Sequence, residues 1–139
     1  MSPYRTTRPL RFGDCDPSGI AYFPAYFNIL VGVVEEFFAD IGASWPALFR
    51  ERKLGMPTVK FDVTYTSPGM HGDVLDWELR VLKVGRSSLT LSHTISRGDT
   101  GLWSATQVLV ATTLETHSSV PWPDDIRAAL TSRLDVPNA

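Results

Sequence analysis

The chain has 139 residues, 43% hydrophobic and 20% charged, which supplies one packed core, so a single domain over residues 1–139 is expected. Thirteen Lys and Arg against fifteen Asp and Glu leave a formal charge of −2, so no global basic field exists to hold nucleic acid. The lone cysteine, Cys15, excludes an intramolecular disulfide framework and a cysteine-rich zinc site. Tyr4–Phe12 reads as an edge strand, because Pro9 suits only an edge or a bulge. The N-terminal stretch has no apolar run of the kind a secretion signal needs, and the run Ile29–Val34 is too short to span a bilayer. A cytoplasmic protein without a membrane partner is therefore expected.

Gly13–Gly19 is dense in turn formers, and Pro24 follows it. Behind Pro24, Tyr26, Phe27, Leu30, Val33, Val34, Phe37, Phe38 and Ile41 recur at spacings of three and four, the period of an α-helix that stops at Gly42. The apolar stripe is wide, so the helix is expected inside a sheet rather than on a surface. Trp45–Lys53 reads as a short second helix. From Met56 the period changes to two, with Val59, Phe61, Val63 and Tyr65 on one face. Ser67–Gly72 is a loop, Asp73–Lys83 a strand, Val84–Ser87 a tight connection, and Ser88–Arg97 another strand. Gly98–Gly101 is a hairpin turn and Leu102–Thr116 one long strand. Asp124–Leu134 follows Pro121 and Pro123 as a C-terminal helix. Consecutive strands on short turns pair antiparallel, and a long helix between the first two strands must cross a sheet face. The expected class is α+β, one curved antiparallel sheet around one central helix.

Asp16 sits in the loop just before that helix, beside its free N–H groups. A carboxylate there offers a nucleophile or base, and a helix-start amide offers a donor to a developing oxyanion. A turn aspartate that caps local amides is the alternative, and residue chemistry alone leaves both open. Asp14, two residues earlier, is read as a turn residue bonding local backbone rather than as a second acid. Cys15 lies between two carboxylates that disfavour a thiolate, so it is read as a small packed side chain. His71, His93 and His117 match no metal-ligand spacing, and no metal is expected.

The run Phe12-Gly-Asp-Cys-Asp-Pro-Ser-Gly-Ile-Ala-Tyr-Phe-Pro-Ala-Tyr26 resembles the signature of the 4-hydroxybenzoyl-CoA thioesterase family of hotdog-fold proteins. Tyr65–Pro68 with Gly72–Leu75, Val84–Ser88 and His93–Arg97 resemble the same family's later blocks, so that the likeness runs from Arg8 to Thr116. It implies a helix wrapped by a five-stranded antiparallel sheet, dimers with continuous sheets, and dimers of dimers as homotetramers. It implies Asp16 as the attacking carboxylate or the base that activates water, and the Phe23 backbone N–H as oxyanion donor. Gly19 would let the loop approach the substrate, and Tyr22 and Phe23 would wall a flat acyl pocket. Coenzyme A enters as part of the substrate, not as a cofactor, and its phosphates are expected at Arg86, Ser87, Ser88 and Lys83. Phe23 stands where some relatives carry histidine, which favours an aromatic acyl group such as 4-hydroxybenzoyl. Two other readings belong to different classes: a non-catalytic acyl-CoA-binding subunit, against which the intact Asp16 argues, and a dehydratase on carrier-protein thioesters, which wants a histidine near residues 16–28 that the chain lacks.

Overall fold

The computed structural model describes residues 3–135; the ends of the expected domain lie outside the described residues. Strand β1 (Tyr4–Pro9) leads through a loop into helix α1 (Ala25–Asp40). A π-helical turn over Pro46–Glu51 and the two-residue strand β2 (Leu54–Gly55) connect to β3 (Thr58–Tyr65), β4 (Val74–Val84), β5 (Ser88–Arg97) and β6 (Thr100–Val110). Strand β7 (Thr112–Thr113) and helix α2 (Asp124–Ser132) complete the chain. The five long strands form one antiparallel sheet in the order β1-β4-β5-β6-β3, and β2 pairs with β7. The α+β hotdog arrangement that the resemblance implies is the observed one.

Leu30, Val33, Val34, Phe37 and Phe38 of α1 are buried against Leu75, Trp77, Leu79, Leu89, Leu91, Ile95 and Trp103 of the sheet. Each such side chain contributes roughly 1.5–3 kcal/mol on burial, which explains why a stripe of this width ends up wrapped. Pro9 falls at the end of β1, an edge strand paired only with β4, where its missing N–H costs no ladder bond.

Several expectations change: the first strand stops at Pro9, with Phe12–Asp14 wound into a 3-10 turn, and the C-terminal helix stops at Ser132. The segment after Trp45 is wound with a wider bond, Arg52 N–H to Ala47 O at 3.0 Å, and ends at Lys53 with φ of 54°. The last long strand starts two residues early and stops at Val110, because Thr112 and Thr113 leave the main sheet to pair with Gly55 and Leu54. Gly55 permits that approach: a Cβ there would come within 2.8 Å of Thr112 Oγ1 and 2.9 Å of Leu114 Cδ2. Finally, a bulge between Thr58 and Lys60 takes Val59 out of the alternation. Phe61, Val63 and Tyr65 stay opposite the buried Gln107, Ala105 and Trp103.

One polar line crosses this core. Trp77 Nε1 donates to His93 Nδ1 at 3.1 Å, so the imidazole proton sits on Nε2 and is donated to Gln107 Oε1 at 2.8 Å. Gln107 Nε2 in turn donates to Thr58 Oγ1 at 2.9 Å, and the line spans β4, β5, β6 and β3. Burial holds His93 neutral and lowers its pKa to about 4, against a smaller upward pull from Gln107.

Candidate active site

The loop before α1 is a closed hairpin. Cys15 and Ala21 face each other across it, Asp16 N–H bonds Ile20 O at 2.9 Å, and Tyr22 N–H bonds Asp14 O at 2.8 Å. Gly19, with φ of 82°, makes the reversal; its N–H bonds Asp16 O at 2.9 Å and its carbonyl receives His71 N–H at 3.0 Å. A second loop supports the hairpin from below, through Ala21 N–H to Gly69 O at 2.8 Å. That loop is itself fixed by Asp73, whose Oδ2 accepts Met70 N–H at 2.8 Å and Arg97 Nη1 at 2.6 Å.

Asp16 lies at the exposed tip. Its Oδ1 accepts the Ser18 amide at 2.8 Å and the Ser18 hydroxyl, an Asx turn that fixes the carboxylate. These bonds favour the charged form and hold the Asp16 pKa below the ordinary carboxylate value. Asp14 Oδ2 accepts Arg11 N–H at 3.0 Å, the local backbone role expected for it. The Cys15 thiol is pushed up by desolvation first and then by Asp14, Asp16 and Asp73, which removes it as a thiolate nucleophile.

Phe23 ends the loop. The Tyr22 carbonyl is drawn into the first helical turn by Ala25 N–H at 2.7 Å. Because the peptide bonds are trans, the Phe23 N–H points the opposite way, out of the helix end, and it donates to no protein acceptor among the described residues. Pro24, at the helix cap, brings no competing N–H. The structure thus gathers Asp16, Gly19, Tyr22 and Phe23 in one hairpin. Tyr22 and Phe23 are 54% and 64% exposed, with ring centroids 5.6 Å apart. Tyr26, also in the motif, is buried in the core.

A cleft of about 290 Å³ opens beside this hairpin, lined by Ile20, Ala21, Phe23, Tyr65 and Pro68. A larger cleft of about 600 Å³ lies on the other side of the sheet at Arg5, Asp76 and Glu78. Its one cation is already paired, with Arg5 Nε 2.8 Å from Glu78 Oε1, and it borders neither Asp16 nor Phe23.

Lys83, Arg86, Ser87 and Ser88 are not brought to the hairpin. They mark the β4–β5 turn, whereas Asp73 beside the hairpin precedes the opposite end of β4. Eleven extended residues, Val74–Val84, separate the two ends by about 35 Å. The turn is stapled to the C-terminal segment: Arg127 donates to Gly85 O at 2.9 Å and Arg86 O at 2.8 Å, and Trp122 N–H donates to Arg86 O at 3.0 Å. The side chains of Lys83 and Arg86 stay exposed.

Comparison with known proteins decides the family. The sequence profile of the Thioesterase-like superfamily matches residues 10–130. The chain belongs to this superfamily. Among curated members, the 1,4-dihydroxy-2-naphthoyl-CoA hydrolase of Synechococcus elongatus is 26% identical over 128 residues, 91% of this chain and 94% of the relative. The 4-hydroxybenzoyl-CoA thioesterase of Pseudomonas sp. strain CBS-3 is 32% identical over 94 residues, 66% of this chain and 67% of the relative. The crystal structure of the 1,4-dihydroxy-2-naphthoyl-CoA thioesterase from Synechocystis superposes with a TM-score of 0.85 at 20% identity, covering 96% of this chain and 98% of that one. Two residues that fix the hairpin escape the sequence reasoning, Ser18 within it and Tyr65 on β3. Ser18 had a local signal, the Asp-x-Ser spacing of an Asx turn. Tyr65, whose hydroxyl donates to Phe23 O at 2.7 Å, had none, because the contact joins residues 42 apart.

Proposed function

We propose that this chain hydrolyses the thioester bond of an aromatic acyl-CoA, releasing the free acid and CoA. The observation that carries the reading is the pairing, in one hairpin, of a fixed, ionised Asp16 with an unengaged Phe23 amide at the start of α1. In this reading Asp16 attacks the thioester carbonyl carbon, and the oxygen takes negative charge against the Phe23 N–H. The C–S bond breaks, CoA leaves as the thiolate, and an acyl-aspartyl anhydride remains. Water then splits the anhydride and restores the carboxylate. A carboxylate held below its ordinary pKa is charged at neutral pH, the form that attack needs. No cofactor is needed beyond the CoA of the substrate.

The aromatic preference is supported by the exposed ring of Phe23, which lines the cleft with the exposed ring of Tyr22 against it, and by the aryl-CoA substrates in the names of the relatives. A ring stacked on such a wall gains roughly 0.5–1.5 kcal/mol beyond burial, which a straight alkyl chain does not.

The site is completed by a second copy. Strand β3 is a sheet edge paired only with β6, and its Tyr65 faces inward yet remains 47% exposed, with Val59 60% exposed on the same strand. Antiparallel pairing of two β3 edges sets the Tyr65 end of one chain against the Thr58 end of the other. Thr58 lies at the end of the sheet that carries Ser88 and the β4–β5 turn. The partner's basic turn is thereby brought toward this chain's hairpin, so CoA phosphates are held by Lys83, Arg86, Ser87 and Ser88 across the dimer. A dimer of dimers then uses faces other than β3.

Free-thiol release from benzoyl-CoA, 4-hydroxybenzoyl-CoA, 1,4-dihydroxy-2-naphthoyl-CoA, acetyl-CoA and palmitoyl-CoA tests the proposal. The best aryl thioester should exceed both aliphatic ones in kcat/KM by at least about tenfold, a difference of around 1.4 kcal/mol. No release from any of the five removes the hydrolase reading; equal efficiency on the aliphatic pair removes the aromatic preference alone.

A further inference from the structure

We infer that Tyr65 is a positioning residue for the oxyanion donor, acting from the sheet edge through the Phe23 carbonyl; this rests on the thioesterase reading above. The Tyr65 hydroxyl donates to Phe23 O at 2.7 Å. The helix does not use that carbonyl, because Phe27 N–H goes to Pro24 O at 3.1 Å instead. Tyr65 is therefore its partner among the described residues.

Phe23 is thus held between two pinned peptide groups. On one side the Tyr22 carbonyl is fixed by Ala25 N–H, and on the other its own carbonyl is fixed by Tyr65. The backbone group left over is the Phe23 N–H. Losing either anchor lets the backbone turn about Phe23 and re-aims that N–H. The bond cannot act by polarising the next amide, since Pro24 has no hydrogen to sharpen, so its effect is one of direction. Direction is what a donor to a transition-state oxygen requires, because a misplacement of an ångström costs orders of magnitude in rate.

The Tyr65 ring is itself aimed by packing. Its centroid lies 6.2 Å from that of Tyr26 and 6.3 Å from that of Trp103, both buried. Tyr65 belongs to β3, the strand proposed to pair with a second copy. The edge that dimerises is therefore joined by one hydrogen bond to the carbonyl of the residue whose N–H does the chemistry.

The test has two readouts. Tyr65→Phe keeps the ring and removes the bond, so kcat on the aryl thioester hydrolysed best should fall by about tenfold, with the larger part of the loss in kcat rather than KM. In the Asp16→Asn background, which traps substrate, difference infrared spectroscopy on carbonyl-labelled 4-hydroxybenzoyl-CoA should show the thioester stretch lowered on binding. Adding Tyr65→Phe should shrink that lowering. The frequency belongs only to bound molecules, so a partly unfolded variant does not blur it. An unchanged kcat or an unchanged frequency overturns the role of Tyr65. Failure of the thioesterase reading is seen earlier and separately, as a wild-type chain that releases no thiol.

Discussion

Ser18 holds Asp16 through both its amide, at 2.8 Å, and its hydroxyl, so the loop that carries the carboxylate also sets its charge. These bonds lower the Asp16 pKa, which places the acid limb of kcat/KM below the ordinary carboxylate value. Ser18→Ala removes the largest of the contributions that stabilise the charged form, so the limb should move upward in pH. The pH dependence of thiol release by the two proteins checks this; superimposable profiles would detach Ser18 from the chemistry.

His93 predicts how stability responds to acid. Its folded pKa, about 4, lies below the ordinary value of 6.5, so the unfolded chain binds the proton more readily. The stability this contributes is complete above 6.5 and is lost as pH falls from 6.5 toward 4, at a slope of up to about 1.4 kcal/mol per pH unit. Urea melts between those limits should show the slope in the wild type and a flatter line in His93→Leu, whatever its stability at neutral pH. Parallel lines would mean that His93 is charged in the core.

Tyr26 and Gly69 form a packing pair. The Tyr26 hydroxyl is buried, and the neighbouring Gly69 backbone makes no hydrogen bond of good geometry with it. A Cβ on Gly69 would collide with that oxygen. Tyr26→Phe should therefore leave stability unchanged or raise it by up to about 1 kcal/mol, since no bond is lost. Gly69→Ala should destabilise by roughly 1–3 kcal/mol, and much less in the Tyr26→Phe background. A double-mutant cycle from thermal melts measures the coupling, and additive effects would contradict the contact.

Most of the fold was legible because its signals are local. Helix α1 is written in the spacing from Tyr26 to Phe38, and Asp16, Gly19, Tyr22 and Phe23 are contiguous, so one motif delivered the hairpin. What failed to show was non-local. The early end of β6 depends on Gly55 admitting Thr112, more than fifty residues away, and the bulge at Val59 depends on the register against β6. The 35 Å or so between the Arg86 turn and the hairpin follows from strand length and antiparallel order, which no motif records. The Tyr65–Phe23 bond exists only once the sheet has wrapped the helix.

The exposed β3 edge predicts a dimer. Light scattering at micromolar concentration should give at least twice the 15.4 kDa chain mass, and Val59→Asp should weaken the assembly and lower activity with it. A fully active monomer would contradict a site shared between copies.

Asp16 carries the account, and Asp16→Asn tests it most directly. The amide is isosteric with the carboxylate but is neither a competent nucleophile nor a base. Thiol release from the best aryl-CoA substrate should fall by about a thousandfold or more, while the affinity for that thioester stays within about tenfold of the wild type. A variant with near-wild-type kcat would contradict the assignment of Asp16 and, with it, the mechanism built on the hairpin.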